Sequence, residues 1–277
     1  MRLKDPIHEV IYRLNVRKEL SLDILHEAMI KLLEMEESQV KNVQLGSLFT
    51  GIMARDPSVE EITTLLRAAF YKDGSPNNEE KHRIELPNNA KLISSVGSGK
   101  KGIKTINIST TSSIIASSLG SYVAKPGSSS VSSLTGSSDL LEETGVNINL
   151  PLEEMVQVLK ITHFGIFKIE NYLKHFGNLY NNKFFTPHVL SYGLAALASP
   201  VKVDKLLYGF AHYDVEKSLD VLLNFGFKDL LICSCTSDGI HYIDEIGVYG
   251  ENRIIGARNG LKGRLKTFQP TSLSPVH

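Results

Sequence analysis

Cysteine, long apolar runs and an excess of one charge are what this chain of 277 residues has least of. Its two cysteines, Cys233 and Cys235, exclude a disulfide framework and are too few to form a metal site alone. The 30 lysines and arginines balance the 30 aspartates and glutamates, so bulk charge does not favour binding along a nucleic-acid backbone. No apolar run reaches the roughly 20 residues that span a bilayer, and the N-terminus lacks the apolar core of a signal peptide. We therefore expect a soluble, cytoplasmic protein with neither a membrane nor a nucleic acid as partner.

Residues 1–72 have the apolar spacing of amphipathic helices. Ile7, Val10 and Leu14 lie on one helical face, and Ser21 can cap the helix that follows it. No strand-like alternation occurs in this part, so a helical module is expected. The predicted helices lie at about 7–14, 22–33, 43–53 and 56–70, and a polar connector follows at 72–90.

From residue 91 onward, short apolar strands alternate with helices, which is typical of an α/β domain with a parallel sheet. Residues 203–235 read as a βαβ unit. Asp244 and Glu245 follow its last strand, and active sites of open parallel sheets lie at such carboxyl ends. We predict strands at 91–96, 122–124, 205–210 and 230–235, and helices at 109–119, 138–144, 152–182, 189–198 and 214–224.

Two polar segments suggest a ligand with more than one phosphate. Residues 96–110 run from a glycine-rich turn into Asn-Ile-Ser-Thr, and residues 124–139 combine Lys125 with many serines. Glycines let backbone N–H groups approach an anion closely, and hydroxyl groups hydrogen-bond its oxygens. The sequence therefore points to a phosphorylated sugar or nucleotide.

These motifs together resemble those of the anthranilate phosphoribosyltransferase family, which shares a fold with nucleoside phosphorylases. The family's glycine loop, Gly-Thr-Gly-Gly-Asp and then Thr-x-Asn-Ile/Val-Ser-Thr, is represented by residues 97–101 and 105–110. A second signature, Lys-His-Gly-Asn-Arg-x-Val-Ser-x-x-Ser-Gly-Ser-Ala-Asp, is represented by residues 125–139. The third, an Asp-Glu pair after a βαβ unit, matches Asp244 and Glu245.

The resemblance implies a fold of the α/β class. A small N-terminal helical domain would pack on a larger α/β domain with a central, mainly parallel sheet flanked by helices. The helical domain would comprise residues 1–72, joined by helices from about 152–186. The α/β domain would comprise residues 88–150 and 187–277, with the active site in the cleft between the two.

The resemblance also implies the reaction. Phosphoribose would move from phosphoribosyl pyrophosphate to an aromatic amine, anthranilate by family default, in tryptophan biosynthesis. Asp244 and Glu245 would bind Mg²⁺, and the protein would form a homodimer through its helical domain. No catalytic residue is assigned. The residues expected to bind phosphoribosyl pyrophosphate are Gly97, Ser98, Gly99, Thr105, Asn107, Ser109, Thr110, Lys125, Ser128 and Ser133.

The chain departs from the family pattern on both sides of the reaction. Lys101 replaces the aspartate that ends the glycine loop; it cannot ligate Mg²⁺, but its charge can replace part of the metal's attraction for pyrophosphate. Pro126 replaces the signature histidine, and Ser128 and Ser129 replace the Asn-Arg pair beside the acceptor. Two alternatives therefore stay open: a paralogue with a different acceptor, and a non-catalytic binding or interaction protein.

The same residues also have structural interpretations. Asp244 and Glu245 are compatible with solvated loop charges, and Lys125 with an exposed lysine after a strand. Three histidines in the region that would line the acceptor pocket are expected to be structural: His163, His175 and His188.

Overall fold

A computed structural model describes residues 5–74, 77–99, 101, 107–128, 137–175, 184–247 and 250–270. Residues 5–74 fold into helices, and the remainder builds one sheet covered by helices. None of the helices in these ranges has the length and apolar character that crossing a bilayer requires.

The N-terminal helices begin at side chains that complete their first turns. Asp5 accepts a hydrogen bond from the Ile7 backbone N–H at 2.9 Å, and Ser58 and Glu61 form a reciprocal capping box. The apolar faces of these helices are buried in the main core, and the helices predicted for this part are confirmed. They are α1 (Pro6–Asn15), α2 (Leu22–Glu34), α3 (Gln39–Met53) and α4 (Val59–Phe70).

The rest of the described chain alternates between strands and helices, as predicted. Short 3₁₀ turns lie at Tyr71–Asp73, Asn78–Glu80, Pro87–Asn89 and Val189–Tyr192. The strands are β1 (Leu92–Gly97), β2 (Tyr122–Gly127), β3 (Phe164–Lys168), β4 (Lys205–Gly209), β5 (Leu230–Thr236), β6 (Tyr242–Ile243), β7 (Glu251–Arg258), β8 (Leu261–Lys262) and β9 (Lys266–Phe268). The helices are α5 (Ile108–Ser118), α6 (Ser137–Glu143), α7 (Leu152–Thr162), α8 (Ile169–Tyr172), α9 (Leu194–Leu197) and α10 (Val215–Asn224).

The strand order gives the sheet a topological switch point at its centre, between β1 and β4, where the direction in which successive strands are added reverses. The order is β3-β2-β1-β4-β5-β7-β8, with β6 on β5 and β9 on β7. Strands β1 to β5 pair in parallel, whereas β6 to β9 pair antiparallel. From β1 the chain winds outward through β2 and β3, and from β4 it winds outward in the other direction. Ligands of open α/β sheets bind at the carboxyl ends of the strands flanking such a point, which here are β1 and β4.

One predicted helix is wrong. The sequence predicts a helix over residues 152–182, but α7 ends at Thr162 and His163 adopts a left-handed conformation with φ 63°. Strand β3 then follows directly. The spacing of Phe164 and Phe167 fits a helix as well as a strand, so periodicity misassigns this short segment. Gly165 leaves room for the Leu159 side chain of α7, because a Cβ at this position would lie only 3.0 Å from it.

Two other expectations need correction. Residues 189–198 form a 3₁₀ turn and the four-residue helix α9, separated by Gly193, rather than one helix. The antiparallel strands β6 to β9 are absent from the sequence prediction. The proposed domain division stays a prediction: α7 packs on β3 and β2, whereas Phe184 stacks on Phe49 of α3 with ring centroids 5.2 Å apart.

Candidate active site at the switch point of the sheet

The carboxyl ends of β1 and β4 close around Asp244. Gly97 and Gly209 end these strands and are partners in register. A Cβ at Gly97 would collide with the Asp244 carboxylate, and one at Gly209 would collide with the Asp244 backbone carbonyl. Asp244 is only 8% exposed. The switch point is therefore built around a buried carboxylate, which has room there because two neighbouring residues are glycines without side chains.

A hairpin after β5 places Asp244 there. Strand β6 turns back along β5, pairing Ile243 with Cys235. Asp238 closes the turn by accepting a hydrogen bond from the His241 backbone N–H at 2.7 Å. The His241 side chain, followed by backbone donors, holds the pKa of the Asp238 carboxyl well below its ordinary value. The residues between β5 and the Asp-Glu pair thus form a hairpin, and Asp238 stabilises its turn.

The turn after β1 is fixed to the same structure. The Gly99 N–H donates to Asp244 Oδ2 at 2.9 Å, and the Ser98 N–H donates to the Gly209 carbonyl at 2.8 Å. Ser98 Oγ accepts from the Ala211 backbone N–H at 3.0 Å. The Ser98 side chain, which the resemblance assigns to a phosphate, therefore ties the turn to the end of β4.

Lys101 joins the two carboxylates of the acidic pair. Its Nζ lies 3.0 Å from Asp244 Oδ1 and also contacts Glu245 Oε1. Burial opposes the charged ammonium, but the attraction of the two carboxylates outweighs it and raises the pKa of Lys101 above its ordinary value. The interpretation of Asp244 and Glu245 as solvated loop charges is wrong, because both are less than 10% exposed.

Lys125 belongs to strand β2, and its side chain reaches the start of helix α5. Its ammonium donates to the Ser95 carbonyl at 3.1 Å and to Ser109 Oγ at 3.0 Å. The residue is 2% exposed, so the interpretation as an exposed lysine is wrong. Burial lowers the pKa of Lys125 to about 8, although Asp244 partly opposes this shift. An ammonium has three donors, and two are used among the described residues.

Helix α5 presents its N-terminus beside this lysine. Asn107 occupies the N-cap position without a side-chain cap bond to the helix. The first N–H groups of a helix lack intrahelical partners and carry a partial positive charge, which makes them an anion site when a cation lies alongside. Ser109 reaches Lys125 from the first turn. Backbone donors and a buried ammonium thus converge on one place.

Of the other predicted site residues, the structure describes two and leaves two outside its range. Thr110 is 1% exposed, and its hydroxyl has no hydrogen-bond partner among the described residues. Ser128 follows β2, and its carbonyl accepts from the Ser138 N–H at 3.4 Å. Thr105 and Ser133 lie outside the described residues.

The acidic pair offers the oxygen ligands that Mg²⁺ prefers. Within the described ranges no group of three or more histidine, cysteine or acidic side chains is arranged to hold a metal ion. A cation at Asp244 and Glu245 would therefore need further ligands from a bound substrate or from water.

The three histidines expected to be structural lie elsewhere. His188 stacks on Phe49, the ring of His163 lies tilted against that of Tyr122, and His175 contacts Asp73.

Sequence reasoning missed Gly209 and the contacts of Lys101. The available signal for Gly209 was a glycine at the end of a predicted parallel strand, which marks close approach of backbone or ligand. Lys101 is recognisable as a departure from the family loop, but its partners lie 143 and 144 residues away in the chain. Neither spacing nor periodicity reports such a contact.

Replacing Gly209 by alanine should destabilise the protein by about 2–4 kcal/mol, because the new methyl group would displace the Asp244 backbone. Gly46→Ala is the matched control: this glycine is inside α3, and a Cβ there meets nothing within 4 Å. Alanine at position 46 should leave stability unchanged or raise it by up to about 1 kcal/mol. Urea unfolding of both variants tests this; equal stabilities would contradict the packing at the switch point.

Comparison with known proteins identifies the family. A family model described as "Glycosyl transferase family, a/b domain" matches residues 89–274. An anthranilate phosphoribosyltransferase of Neisseria meningitidis serogroup C is 30% identical over 256 residues, covering 91% of this chain and 68% of that protein. The chain belongs to the anthranilate phosphoribosyltransferase family. The correspondingly named protein of Methanobrevibacter smithii is 29% identical over 267 residues, covering 95% of this chain and 73% of its own length.

Solved structures of anthranilate phosphoribosyltransferases share the fold. The Thermus thermophilus enzyme aligns with a TM-score of 0.68 at 23% identity, covering 94% of this chain and 73% of that one. The Saccharomyces cerevisiae enzyme in complex with PRPP and Mg aligns with a TM-score of 0.72 at 18% identity, covering 97% and 74%. The resemblance and the α/β fold with a helix-flanked central sheet are thereby confirmed.

Proposed function

We propose that this chain transfers phosphoribose from phosphoribosyl pyrophosphate to an aromatic amine, with anthranilate as the first acceptor to test and tryptophan biosynthesis as its role. One observation carries the assignment of phosphoribosyl pyrophosphate as the substrate that supplies phosphoribose. A buried ammonium lies at a helix N-terminus beside the switch point, and one of its three N–H groups makes no hydrogen bond among the described residues. Family membership supplies the reaction class. A cytoplasmic location is part of the same proposal.

In this reaction the bond between ribose C1 and the pyrophosphate oxygen breaks, and a bond from C1 to the amine nitrogen forms. The amine gives up one proton, and pyrophosphate leaves with the bonding electron pair. Negative charge therefore grows on the leaving group, where fixed donors lower the barrier most. Lys125 and the first N–H groups of α5 are the donors we assign to the phosphates.

Asp244 and Glu245 are the residues that would hold Mg²⁺, because carboxylate oxygens are its preferred protein ligands. When bound, the ion would supply positive charge to the pyrophosphate. Residues of the chain itself supply the rest: the Gly99 turn positions Asp244, and Lys101 adds a second ammonium at the same edge.

The acceptor is the part of the proposal with a specific competing candidate. Pro126, at the position of the family's histidine, is buried in β2 and paired in register with Phe167. It has no polar side chain to offer an acceptor. A paralogue using a different aromatic amine is therefore the second candidate.

The test is consumption of anthranilate, followed by its fluorescence, in the presence of phosphoribosyl pyrophosphate and Mg²⁺. We expect turnover in the wild type and its loss in Lys125→Met. Turnover with another amine only would assign the second candidate. Binding of phosphoribosyl pyrophosphate without turnover on any aromatic amine would overturn the enzyme proposal in favour of a binding protein.

We also propose a homodimer through the helical domain. Its support is apolar surface on α1 and α3: Tyr12 is 58% exposed, Val40 62% and Val43 61%. Large apolar side chains at such exposure are typical of contact surfaces when they cluster. Sedimentation equilibrium should give twice the chain mass of 30.6 kDa, and Val43→Lys should shift it toward the monomer. A monomeric wild type would contradict this.

A further inference from the structure

The ion pair of Lys101 bears directly on the proposed metal site. Lys101 Nζ contacts one oxygen of each carboxylate, at 3.0 Å from Asp244 Oδ1 and closer to Glu245 Oε1. The three side chains are 14%, 4% and 9% exposed, so little solvent screens them. A single lysine thus supplies a counter-charge to both proposed metal ligands.

A divalent ion and this ammonium compete for the same oxygens. Mg²⁺ binds its ligand oxygens at about 2.0–2.1 Å. A metal bridging Asp244 and Glu245 would therefore sit against Lys101 Nζ, and the two cations would repel each other. Repulsion between a unit charge and a divalent ion at about 4 Å lowers metal affinity about 30-fold even in bulk-water dielectric.

The lysine is held in place by the turn that carries it. Gly99, two residues earlier, donates its backbone N–H to the other oxygen of Asp244, Oδ2, at 2.9 Å. The turn therefore meets the aspartate with a backbone donor and an ammonium at once. Displacing Lys101 would expose Asp244 and Glu245 to each other in a buried setting, which is costly without a replacement cation.

We propose that Lys101 is a built-in counter-cation that keeps divalent metal off Asp244 and Glu245 until the pyrophosphate ligand is bound. The inference rests on the proposed function in one respect: the ligand that admits the metal is the phosphoribosyl pyrophosphate assigned above. When pyrophosphate is bound, its oxygens would supply the further ligands that Mg²⁺ needs, and in the free protein Lys101 supplies the positive charge that the site needs for folding.

Binding of Mn²⁺ to the protein without phosphate ligand tests this directly, using the electron paramagnetic resonance signal of free Mn²⁺. We expect wild type to leave Mn²⁺ free up to about 1 mM, within the range of weak protein sites for divalent ions. Lys101→Met should bind one Mn²⁺ at least about 30-fold more tightly. Wild type binding one Mn²⁺ as tightly as Lys101→Met would overturn the proposal.

Three further variants separate this effect from others. Lys228→Met removes an equal charge from an exposed pair with Glu79 and should gain no Mn²⁺ site. Adding Glu245→Gln to Lys101→Met should abolish the gained site. Lys101→Arg keeps the charge and should exclude Mn²⁺ as wild type does, which keeps the proposal testable if Lys101→Met folds only with metal. Mn²⁺ binding by Lys101→Arg equal to that of Lys101→Met would count against exclusion by charge.

The outcome does not depend on whether the enzyme is active. Mn²⁺ binding uses no substrate, so failure of the proposed function leaves this measurement interpretable. Titration of phosphoribosyl pyrophosphate with and without Mg²⁺ then tests the coupling. We expect Mg²⁺ to tighten its binding more in the wild type than in Lys101→Met, because the variant already binds metal without the ligand and coupling between two ligands is reciprocal. An equal or smaller effect in the wild type would overturn the coupling.

Discussion

Replacing Lys125 by methionine should weaken binding of phosphoribosyl pyrophosphate about 100-fold, equivalent to about 2.7 kcal/mol. The residue is 2% exposed, and its ammonium keeps one donor beyond its bonds to Ser95 and Ser109 among the described residues. A hydrogen bond from a buried charge to a phosphate is among the strongest polar interactions available. Isothermal titration calorimetry at pH 7 measures the loss. A change of less than about threefold would mean that the phosphates bind elsewhere.

The same variant should not lose stability, and this separates a binding role from a structural one. Burial lowers the pKa of Lys125 from 10.5 to about 8, so at pH 7 the folded state holds an unfavourable charge worth up to about 3 kcal/mol. Methionine of similar length removes that charge. We expect the free energy of unfolding to stay equal or to rise. A large fall would show that the ammonium holds the fold together.

Lys81→Met is the matched control. Lys81 also has a pKa lowered by burial, to about 7, and donates to the Leu197 carbonyl at 2.6 Å. It adjoins the pairing of His82 with Val201, which precedes β4 and so lies away from the carboxyl ends of the strands. Its removal should affect stability in the same direction and leave ligand binding unchanged. Weakened binding in this variant would indicate a general charge effect.

The pH dependence of ligand binding should follow Lys125. Because the folded pKa is about 8, the ammonium is charged below that pH and neutral above it. Affinity for phosphoribosyl pyrophosphate should fall as pH rises through 8, and binding should take up about half a proton at pH 8 and most of one proton at pH 9. The free energy of unfolding should instead rise between pH 8 and 10.5, because in this range the unfolded state binds more protons than the folded state. Calorimetry in two buffers of different ionisation enthalpy counts the protons; no Lys125-dependent uptake would contradict the assignment.

Replacing Asp244 by asparagine should destabilise the protein by about 2–3 kcal/mol. The change is nearly isosteric, so the packing against Gly97 and Gly209 is kept. It removes the charge that pairs with Lys101 at 3.0 Å and weakens acceptance from the Gly99 N–H. Glu245 still pairs with Lys101, which keeps the loss below the 3–5 kcal/mol typical of a broken buried pair. Urea unfolding measures the change.

The controls for this prediction use an exposed pair and a double variant. Asp220→Asn breaks an ion pair with Lys262 at 2.8 Å whose side chains are more than a third exposed, and it should cost at most about 1 kcal/mol. Adding Lys101→Met to Asp244→Asn removes both partners of one pair, so the double variant should be destabilised by less than the sum of the two single variants. A double variant as unstable as the sum of the single variants would show that the two side chains do not interact.

Much of the fold was predictable because its elements carry local signals. The capping box at Ser58 and the apolar faces of α1 and α2 specify helices without tertiary information. The strand preceding the glycine turn was predictable for the same reason. Strand β3 was not, because Phe164 and Phe167 satisfy a helical spacing and only packing on β2 selects the strand.

The site was predictable in its residues but not in its arrangement. Motifs select Lys125 and Asp244, and the structure brings both to the carboxyl edge of the central strands. Their burial could not be read from sequence, because it results from β1 and β4 meeting at glycines more than 100 residues apart. The pairing of Lys101 with Asp244 depends on the hairpin after β5. Such contacts are set by topology rather than by local pattern.

Titration of phosphoribosyl pyrophosphate into the wild-type protein in the presence of Mg²⁺, with ribose 5-phosphate as comparator, shows whether the switch point of the sheet binds a pyrophosphate. A site with donors for a pyrophosphate should bind the first compound in the micromolar range and at least about tenfold more tightly than the second. Equal affinities for the two, or no binding of phosphoribosyl pyrophosphate, would contradict a pyrophosphate site at the switch point of the sheet.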